Sequence, residues 1–270
     1  MLIFKIIFSM LAFVFGASFA SFAGVVAYRF PKGISFVKPN SYCPQCGKEI
    51  RKCDNIPILS WILLGGKCRY CKSKIGSFSF LIEILGGIGF MLTYLQYGEN
   101  FQNLPLLVAL MLLIFLFTII SAIDYETHDI YNITLIMFLF ISIFISAYRI
   151  IIFDTNVWIH LGGSILGFGF FGSVKLISKL ILHKNALGSG DVYIVGIAGL
   201  MIGVFPLLIA IIIATFLGSI IETIKIKIKK SDKEVEIAFA PYLLFGIGLM
   251  AIYGDSIMKI YWEIMLNAII

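Results

Sequence analysis

The sequence predicts an all-α polytopic membrane protein, with about eight transmembrane helices and a small cytoplasmic, zinc-ribbon-like insertion after the first helix. Of its 270 residues, 60% are hydrophobic and only 13% are charged. A soluble domain of this length could not cover so much apolar surface with so few charged residues. Mostly apolar runs of about 18 or more residues, long enough to cross a bilayer, recur along the chain.

Eight apolar runs predict the helices, at residues 3–28, 77–97, 105–123, 130–152, 158–182, 191–204, 206–224 and 237–254. The run at 191–204 is short and turns at Gly203 to Pro206, so we expect a helical hairpin with the next run. The first run could pass for a signal peptide, but its apolar stretch is long, which favours a retained helix. The tail 256–270 contains Lys259 and Glu263, and could be an interfacial helix or a short last span.

Lysine and arginine are concentrated in alternate loops, which predicts the orientation in the membrane. Segment 29–76 holds ten of the 21 basic residues, and further lysines lie at 175–184 and 225–233. The loops at 98–105 and 154–158 contain none. We therefore expect the N-terminus outside and segment 29–76 in the cytoplasm. The net charge of +6 follows from this orientation, and no basic stripe interleaved with aromatic residues indicates nucleic-acid binding.

The polar segment after the first helix contains two C-x-x-C pairs, Cys43 with Cys46 and Cys68 with Cys71. Each pair forms a knuckle-like turn, and this spacing favours a structural zinc ion bound by four thiolates. Four sulfur ligands leave no open position for a substrate. The alternatives are two disulfides, which a reducing compartment disfavours, or free thiols. Cys53 is left over as a free thiol or a substitute ligand.

Two carboxylates lie at the ends of predicted spans, where ionisable residues are candidates for function. Asp124 ends the third span and Asp191 opens the sixth, both on the predicted cytoplasmic side. If they converge, they share one proton, so that one activates water while the other donates to the scissile carbonyl. Gly188 and Gly190 would let a substrate backbone approach closely. The alternative is that Asp191 only caps a helix and Asp124 is a loop residue.

Several motifs resemble those of the bacterial type IV prepilin peptidases, membrane aspartic proteases of the G-x-G-D class. They are ASFASFAGVVAYRFP near the N-terminus, NIPILSW at 55–61, GKCRYC at 66–71, FLIEILGG with Glu83, the D-x7-[DN] spacing from Asp124 to Asn132, GSGDVYIVG and FAPY at 239–242. Three positions depart from the family pattern: Gly24 stands in place of Asn, Tyr131 in place of Pro and Tyr193 in place of Lys. The resemblance covers nearly the whole chain.

The resemblance implies a reaction, a substrate and cofactors. Such enzymes cleave the basic leader of prepilins or pseudopilins after a Gly at the cytoplasmic membrane face, with Asp124 and Asp191 as the catalytic pair. They commonly N-methylate the new terminus with S-adenosylmethionine. The cysteine region and Glu83 would serve that methyl transfer, with Glu83 holding the new ammonium group. The alternative for Glu83 is a hydrogen bond between helices.

The sequence thus predicts three regions: a first transmembrane helix at 1–28, a cytoplasmic zinc module at 29–76 and a transmembrane aspartic peptidase domain at 77–270. The expected partners are a prepilin or pseudopilin and the lipid bilayer, in the plasma membrane with the active site towards the cytoplasm. Other hypotheses are a membrane thiol-redox protein that uses the C-x-x-C pairs, a non-enzymatic assembly or transport module, and a peptidase without methyltransferase activity.

Overall fold

The computed structural model describes residues 2–38, 40–182, 187–229 and 238–269. Lys184, Lys230 and Lys233 of the predicted cytoplasmic loops lie outside them. The described residues form nine α-helices and no β-strand. In chain order the helices are α1 (Leu2–Arg29), α2 (Leu59–Leu63), α3 (Ser77–Tyr97), α4 (Leu104–Thr127), α5 (Asn132–Ile152), α6 (Val157–Leu182), α7 (Ser189–Ile202), α8 (Val204–Lys229) and α9 (Ala240–Ile269).

The expected all-α membrane architecture is confirmed. Among the described residues, seven helices are long and apolar enough to cross a membrane, namely α1, α3, α4, α5, α6, α8 and α9. The remaining predicted span, the sixth along the chain, is α7, which has 14 residues and is therefore about 21 Å long. Only Gly203 separates α7 from α8, so the predicted hairpin is present and tighter than the sequence suggested.

The last helix differs from the sequence prediction. The tail 256–270 was expected to be an interfacial helix or a separate short span, but α9 continues without a break from Ala240 to Ile269. No Gly or Pro occurs after Gly254. Because these are the residues that interrupt helices, nothing in the local sequence separates the tail from the preceding turn.

Helices α4 and α7 lie at the centre of the bundle. Helix α4 packs against α1, α3, α5 and α9, whereas α7 packs against α5, α6, α8 and α9. The contact between α6 and α7 is close, because an added Cβ at Gly163 would overlap the Gly199 carbonyl and one at Gly167 would come within 2.6 Å of the Val195 carbonyl. Small residues allow such approach between membrane helices, so the position of α7 depends on glycine.

The C-terminal end of α7 is held by buried polar side chains. A helix leaves its last carbonyl groups without intrahelical partners. Arg149 of α5, which is 1% exposed, donates to the Met201 carbonyl at 3.1 Å and to the Ala251 carbonyl of α9 at 2.7 Å. His160 of α6 lies 3.0 Å from the Leu200 carbonyl through Nδ1. These contacts join α5, α6 and α9 to the C-terminal end of α7.

Candidate active site and metal site

Asp124 lies in the last turn of α4 and is buried, with 6% of its surface exposed. Its carboxylate accepts a hydrogen bond of 3.2 Å from the backbone N–H of Ala240, the first residue of α9. Helix α4 ends just beyond it at His128, whose left-handed backbone donates to the Asp124 carbonyl. The N-terminus of α9, which carries partial positive charge, therefore faces the Asp124 carboxylate.

Asp191 is the third residue of α7 and is also buried, with 8% exposed. Helix α7 begins after Gly188, and the Gly188 backbone N–H faces the Asp191 carboxylate. An acidic side chain at this position commonly bonds back to the residue that caps the helix. Asp191 lies close enough to Asp124 for the two charges to interact. The fold thus brings together two carboxylates that are 67 positions apart in sequence.

The two glycines before Asp191 lie against side chains of the protein itself. An added Cβ at Gly190 would come within 2.5 Å of the Ile130 side chain, and one at Gly188 within 3.2 Å of the Asp191 carboxylate. The space beside Gly190 is therefore filled by the protein itself. The absence of a side chain at Gly190 thus lets α7 start close to the loop after α4.

The arrangement is suited to acid–base chemistry. Two buried carboxylates of like charge, from separate helices, disfavour double ionisation and favour one shared proton. One group can then take a proton from water while the other donates one to a carbonyl oxygen. Asp129 and His128, which follow in the same loop, are exposed and do not join the pair.

A neighbouring polar cluster was missed by the sequence analysis. Glu222 of α8 is 9% exposed and accepts hydrogen bonds of 2.6 Å from both the Tyr242 hydroxyl and the Lys225 ammonium. Tyr242 lies two residues after Ala240. The cluster therefore ties α8 to the first turn of α9, the turn that donates to Asp124. A carboxylate within an apolar helix was the available signal.

The four paired cysteines lie together in the structure. The sulfur atoms of Cys43, Cys46, Cys68 and Cys71 are all within 4.8 Å of one another, so the cluster could hold a metal ion. Cys43 and Cys71 have their sulfurs 3.8 Å apart. Cys53 is exposed and lies outside the cluster.

The two halves of the cysteine cluster have the same local structure. In each half the N–H of the first cysteine donates to the carbonyl five residues later, and the carbonyl of that cysteine accepts from the N–H four residues later. The fifth residue of each knuckle, Gly47 or Lys72, has a positive φ. The pKa of the Cys43 thiol is lowered to about 6, chiefly because the Cys46 N–H donates to its sulfur. This knuckle thus favours the thiolate of Cys43, the form that binds metals.

The cysteine module is joined to the membrane helices at Glu83. This half-buried residue of α3 accepts a hydrogen bond of 2.7 Å from the backbone N–H of Ile58, which precedes α2. Within the module, Arg69 donates two hydrogen bonds to Asp54 and lowers the pKa of that carboxyl. Of the predicted site residues, Glu83 thus lies beside the module.

Two family profiles match this chain: the Bacterial Peptidase A24 N-terminal domain over residues 14–97 and the Type IV leader peptidase family over residues 110–222. The chain is 30% identical to the "Type 4 prepilin-like proteins leader peptide-processing enzyme" of Escherichia coli, over 92% of this chain and 94% of that protein. It is 28% identical to the "Prepilin leader peptidase/N-methyltransferase" of Bacillus subtilis, over 94% and 98%. A protein with the same printed name from Pseudomonas aeruginosa is 27% identical, over 85% and 77%.

No solved structure matches the chain. The sequence relationship is nevertheless extensive, because the alignment with the Escherichia coli protein covers more than nine-tenths of both chains at 30% identity. The resemblance drawn from the motifs is confirmed. The chain belongs to the type IV leader peptidase family and is a multi-pass membrane peptidase.

Proposed function

We propose that the protein cleaves the basic leader of type IV prepilins or pseudopilins after a Gly, with Asp124 and Asp191 as the catalytic pair. The observation that carries this proposal is the convergence of two buried carboxylates, Asp124 facing the N-terminus of α9 and Asp191 in the first turn of α7. Asp124 or Asp191 acts as the base on water, and its protonated partner donates to the carbonyl oxygen of the scissile bond. The printed names of the relatives support the choice of substrate.

The proposed cleavage takes place at the cytoplasmic membrane face. The distribution of basic residues orients segment 29–76 towards the cytoplasm, and the alternation of spans then brings the end of α4 and the start of α7 to that same face. A prepilin helix inserted with its basic leader in the cytoplasm has its scissile bond at this depth. The proposal therefore explains why the catalytic pair lies at the ends of helices.

We further propose that the cysteine cluster binds a structural zinc ion. Tetrahedral zinc with sulfur ligands at about 2.3 Å requires sulfur–sulfur separations of about 3.8 Å, which the Cys43–Cys71 distance of 3.8 Å matches. The repeated knuckles supply N–H groups that face the sulfurs. Bound zinc would hold the two knuckles together within the proposed cytoplasmic module at 29–76, next to a first helix at 1–28 and a peptidase domain at 77–270.

The proposed second activity is N-methylation of the new terminal residue, with S-adenosylmethionine as the donor. The printed names of relatives support it. Glu83 is the proposed partner for the new ammonium group, since it is a half-buried carboxylate at the boundary between the module and the membrane helices.

The test is incubation of the purified protein, in detergent or nanodiscs, with a synthetic prepilin and S-adenosylmethionine. We expect mass spectrometry to show loss of the leader after Gly and a methyl-mass increment on the mature chain. An intact prepilin after prolonged incubation with zinc-loaded protein would contradict the peptidase assignment. Cleavage without a methyl increment would reduce the protein to a plain peptidase.

A further inference from the structure

Helix α2 exposes apolar side chains on one face. Leu59, Ile62 and Leu63 are 55%, 56% and 81% exposed, and their spacing of three and four residues places them on the same side of the helix. The other side is turned towards the protein, where the Trp61 ring stacks on Phe80 of α3 with the ring centres 4.4 Å apart. An apolar face that the protein leaves uncovered marks a surface for another protein or for a membrane.

The depth of α2 in the membrane follows from its contacts with α3. Helix α3 has 21 residues and is about 32 Å long, which matches a hydrocarbon core of about 30 Å. Its first residue, Ser77, therefore lies at the edge of the core. The N–H of Ile58, just before α2, donates to Glu83, which is about 9 Å further along the α3 axis than Ser77. Because a helical side chain leans towards the N-terminus of its helix, α2 lies beside the first two turns of α3, below the edge of the core.

The backbone around α2 has the partners that a lipid environment requires. In a bilayer each polar backbone group needs a partner within the protein, and the first N–H groups of a helix have none within the helix itself. Here Glu83 accepts from the Ile58 N–H, and the Ser60 hydroxyl accepts from the Ile56 N–H at 2.9 Å. The three N–H groups after α2, at residues 64–66, donate back to carbonyls of α2. Both ends of this short helix are thus satisfied without water.

Basic residues flank α2 on both sides in the sequence. Arg51 and Lys52 precede it and Lys67 follows it, and all three are exposed. Long basic side chains at a membrane surface extend towards the headgroups, and the anionic lipids of a cytoplasmic leaflet attract them. An apolar face with basic residues beside it is typical of helices that lie in the membrane interface. The charge of this part of the module therefore complements a lipid surface better than it complements a basic prepilin leader.

We propose that the apolar face of α2 inserts into the leaflet on the module's side of the membrane, so that its partner is the bilayer itself. The side chains of Leu59, Ile62 and Leu63 contact acyl chains, and the flanking basic side chains reach the headgroups. Interfacial helices lie about 5–10 Å into the boundary of the acyl chains, which agrees with the position of α2 beside the first two turns of α3. The cysteine module is thereby attached to the membrane by α2 as well as by the ends of α1 and α3.

A photoreactive benzophenone amino acid in place of Leu63 tests this contact, because it forms adducts with C–H groups within its reach and not with water. The large exposed fraction of Leu63 leaves space for the bigger side chain. The full-length protein is irradiated in nanodiscs, and its intact mass gives the fraction that carries one lipid. The positive control is Leu81, which is 48% exposed on α3. The negative control is Gln45, which is exposed in the first cysteine knuckle.

We expect the benzophenone at Leu63, and likewise at Leu59, to form lipid adducts with a yield within about twofold of that at Leu81. The yield at Gln45 should be lower by about tenfold or more, because this position faces water. A yield at Leu63 as low as that at Gln45 would overturn the inference. Adducts that form only after prepilin is added, and then with prepilin instead of lipid, would overturn it in favour of a substrate-docking face. The aspartate pair is not tested by any of these results, since no cleavage is measured.

A charge on the same face gives a second readout that does not depend on photochemistry. An exposed leucine in water tolerates replacement by Glu with little change in stability, whereas an ionised side chain within a leaflet is costly. We therefore expect Leu63→Glu to lower the unfolding temperature in nanodiscs by about 4 °C or more. Gln45→Glu adds the same charge to the first knuckle and should stay within about 1 °C of the wild type. Equal unfolding temperatures for both variants and the wild type would place α2 in water and refute its insertion.

Discussion

Buried polar side chains lie at both ends of α7, and the two groups differ in how they are compensated. At the C-terminal end, Arg149 pairs with backbone carbonyls and lies 3.2 Å from Asp255. At the N-terminal end, Asp124 and Asp191 are two acidic groups that lie close enough for their charges to interact. Both groups stand out equally in the sequence as polar residues among apolar ones. The difference in partners, which only the fold reveals, separates a structural group from a reactive one.

The comparison refines a general expectation. Ionisable residues within membrane spans are functional candidates by default, and on that rule Arg149 would rank with the aspartates. Instead it binds the Met201 carbonyl at the end of α7, a helix too short to cross the bilayer core of about 30 Å, and the Ala251 carbonyl of α9. Opposite partial charges stabilise the fold at that end. Like charges at the other end cost stability and leave a proton to be shared.

The largest expected effect is on cleavage by the aspartate variants. Asp124→Asn and Asp191→Asn should each reduce prepilin cleavage by about 10³-fold or more, because a single carboxylate cannot both activate water and donate a proton. Their unfolding temperatures should equal or exceed that of the wild type, since replacing a buried like-charged group removes an unfavourable interaction. Gel-based cleavage and thermal unfolding measure the two quantities.

Asp129→Asn is the matched control, because Asp129 is an exposed carboxylate in the loop just after Asp124. It should retain activity within about threefold of the wild type, as expected for a surface substitution. Near-full cleavage by either buried variant would remove the pair from the mechanism.

The cysteine cluster adds a third kind of polar group, one that needs an external ligand. Replacing any of Cys43, Cys46, Cys68 or Cys71 by Ser should abolish stoichiometric zinc binding and expose segment 40–76 to proteolysis, because metal binding supplies folding free energy in such modules. Cys53→Ser should change neither. Elemental analysis measures the zinc content, and limited proteolysis measures the exposure of segment 40–76. If one of the four cysteines proved dispensable for zinc binding, the proposed set of ligands would be wrong. Stoichiometric zinc would also exclude the thiol-redox hypothesis.

Substitution of Arg149 at the C-terminal end of α7 should lower the stability of the protein, whereas substitution of the aspartates should not. Arg149→Met leaves the Met201 and Ala251 carbonyls without their donors, and should lower the free energy of unfolding by about 3 kcal/mol. Asp255→Asn should cost much less, because 43% of the Asp255 side chain is exposed. Unfolding in mixed micelles measures both. Loss of cleavage by Arg149→Met at wild-type stability would place Arg149 in the reaction and break the comparison.

The sequence predicted what depends on local spacing. Each cysteine knuckle is closed by contacts within about five residues, so two C-x-x-C pairs were enough to predict the cluster, and apolar length was enough to predict the spans. The contacts around the aspartates are distant in sequence. Neither the hydrogen bond from the Ala240 N–H to Asp124 nor the one from Tyr242 to Glu222 follows from local spacing. The continuous α9 was missed because Lys259 and Glu263 were given more weight than the absence of helix-breaking residues.

Glu83 shares one property with each end of α7. It is a carboxylate on a membrane helix, like the aspartates, but it has a backbone hydrogen-bond partner, like Arg149. Glu83→Gln keeps an oxygen that can accept from the Ile58 N–H at 2.7 Å but removes the negative charge. We expect the variant to cleave prepilin at a rate close to that of the wild type and to methylate the product about tenfold more slowly, because the charge-assisted contact to the ammonium is lost. Mass spectrometry of the mature N-terminus reads leader loss and methylation together. Full methylation would make Glu83 a structural link between α3 and the module, like Arg149 at the end of α7.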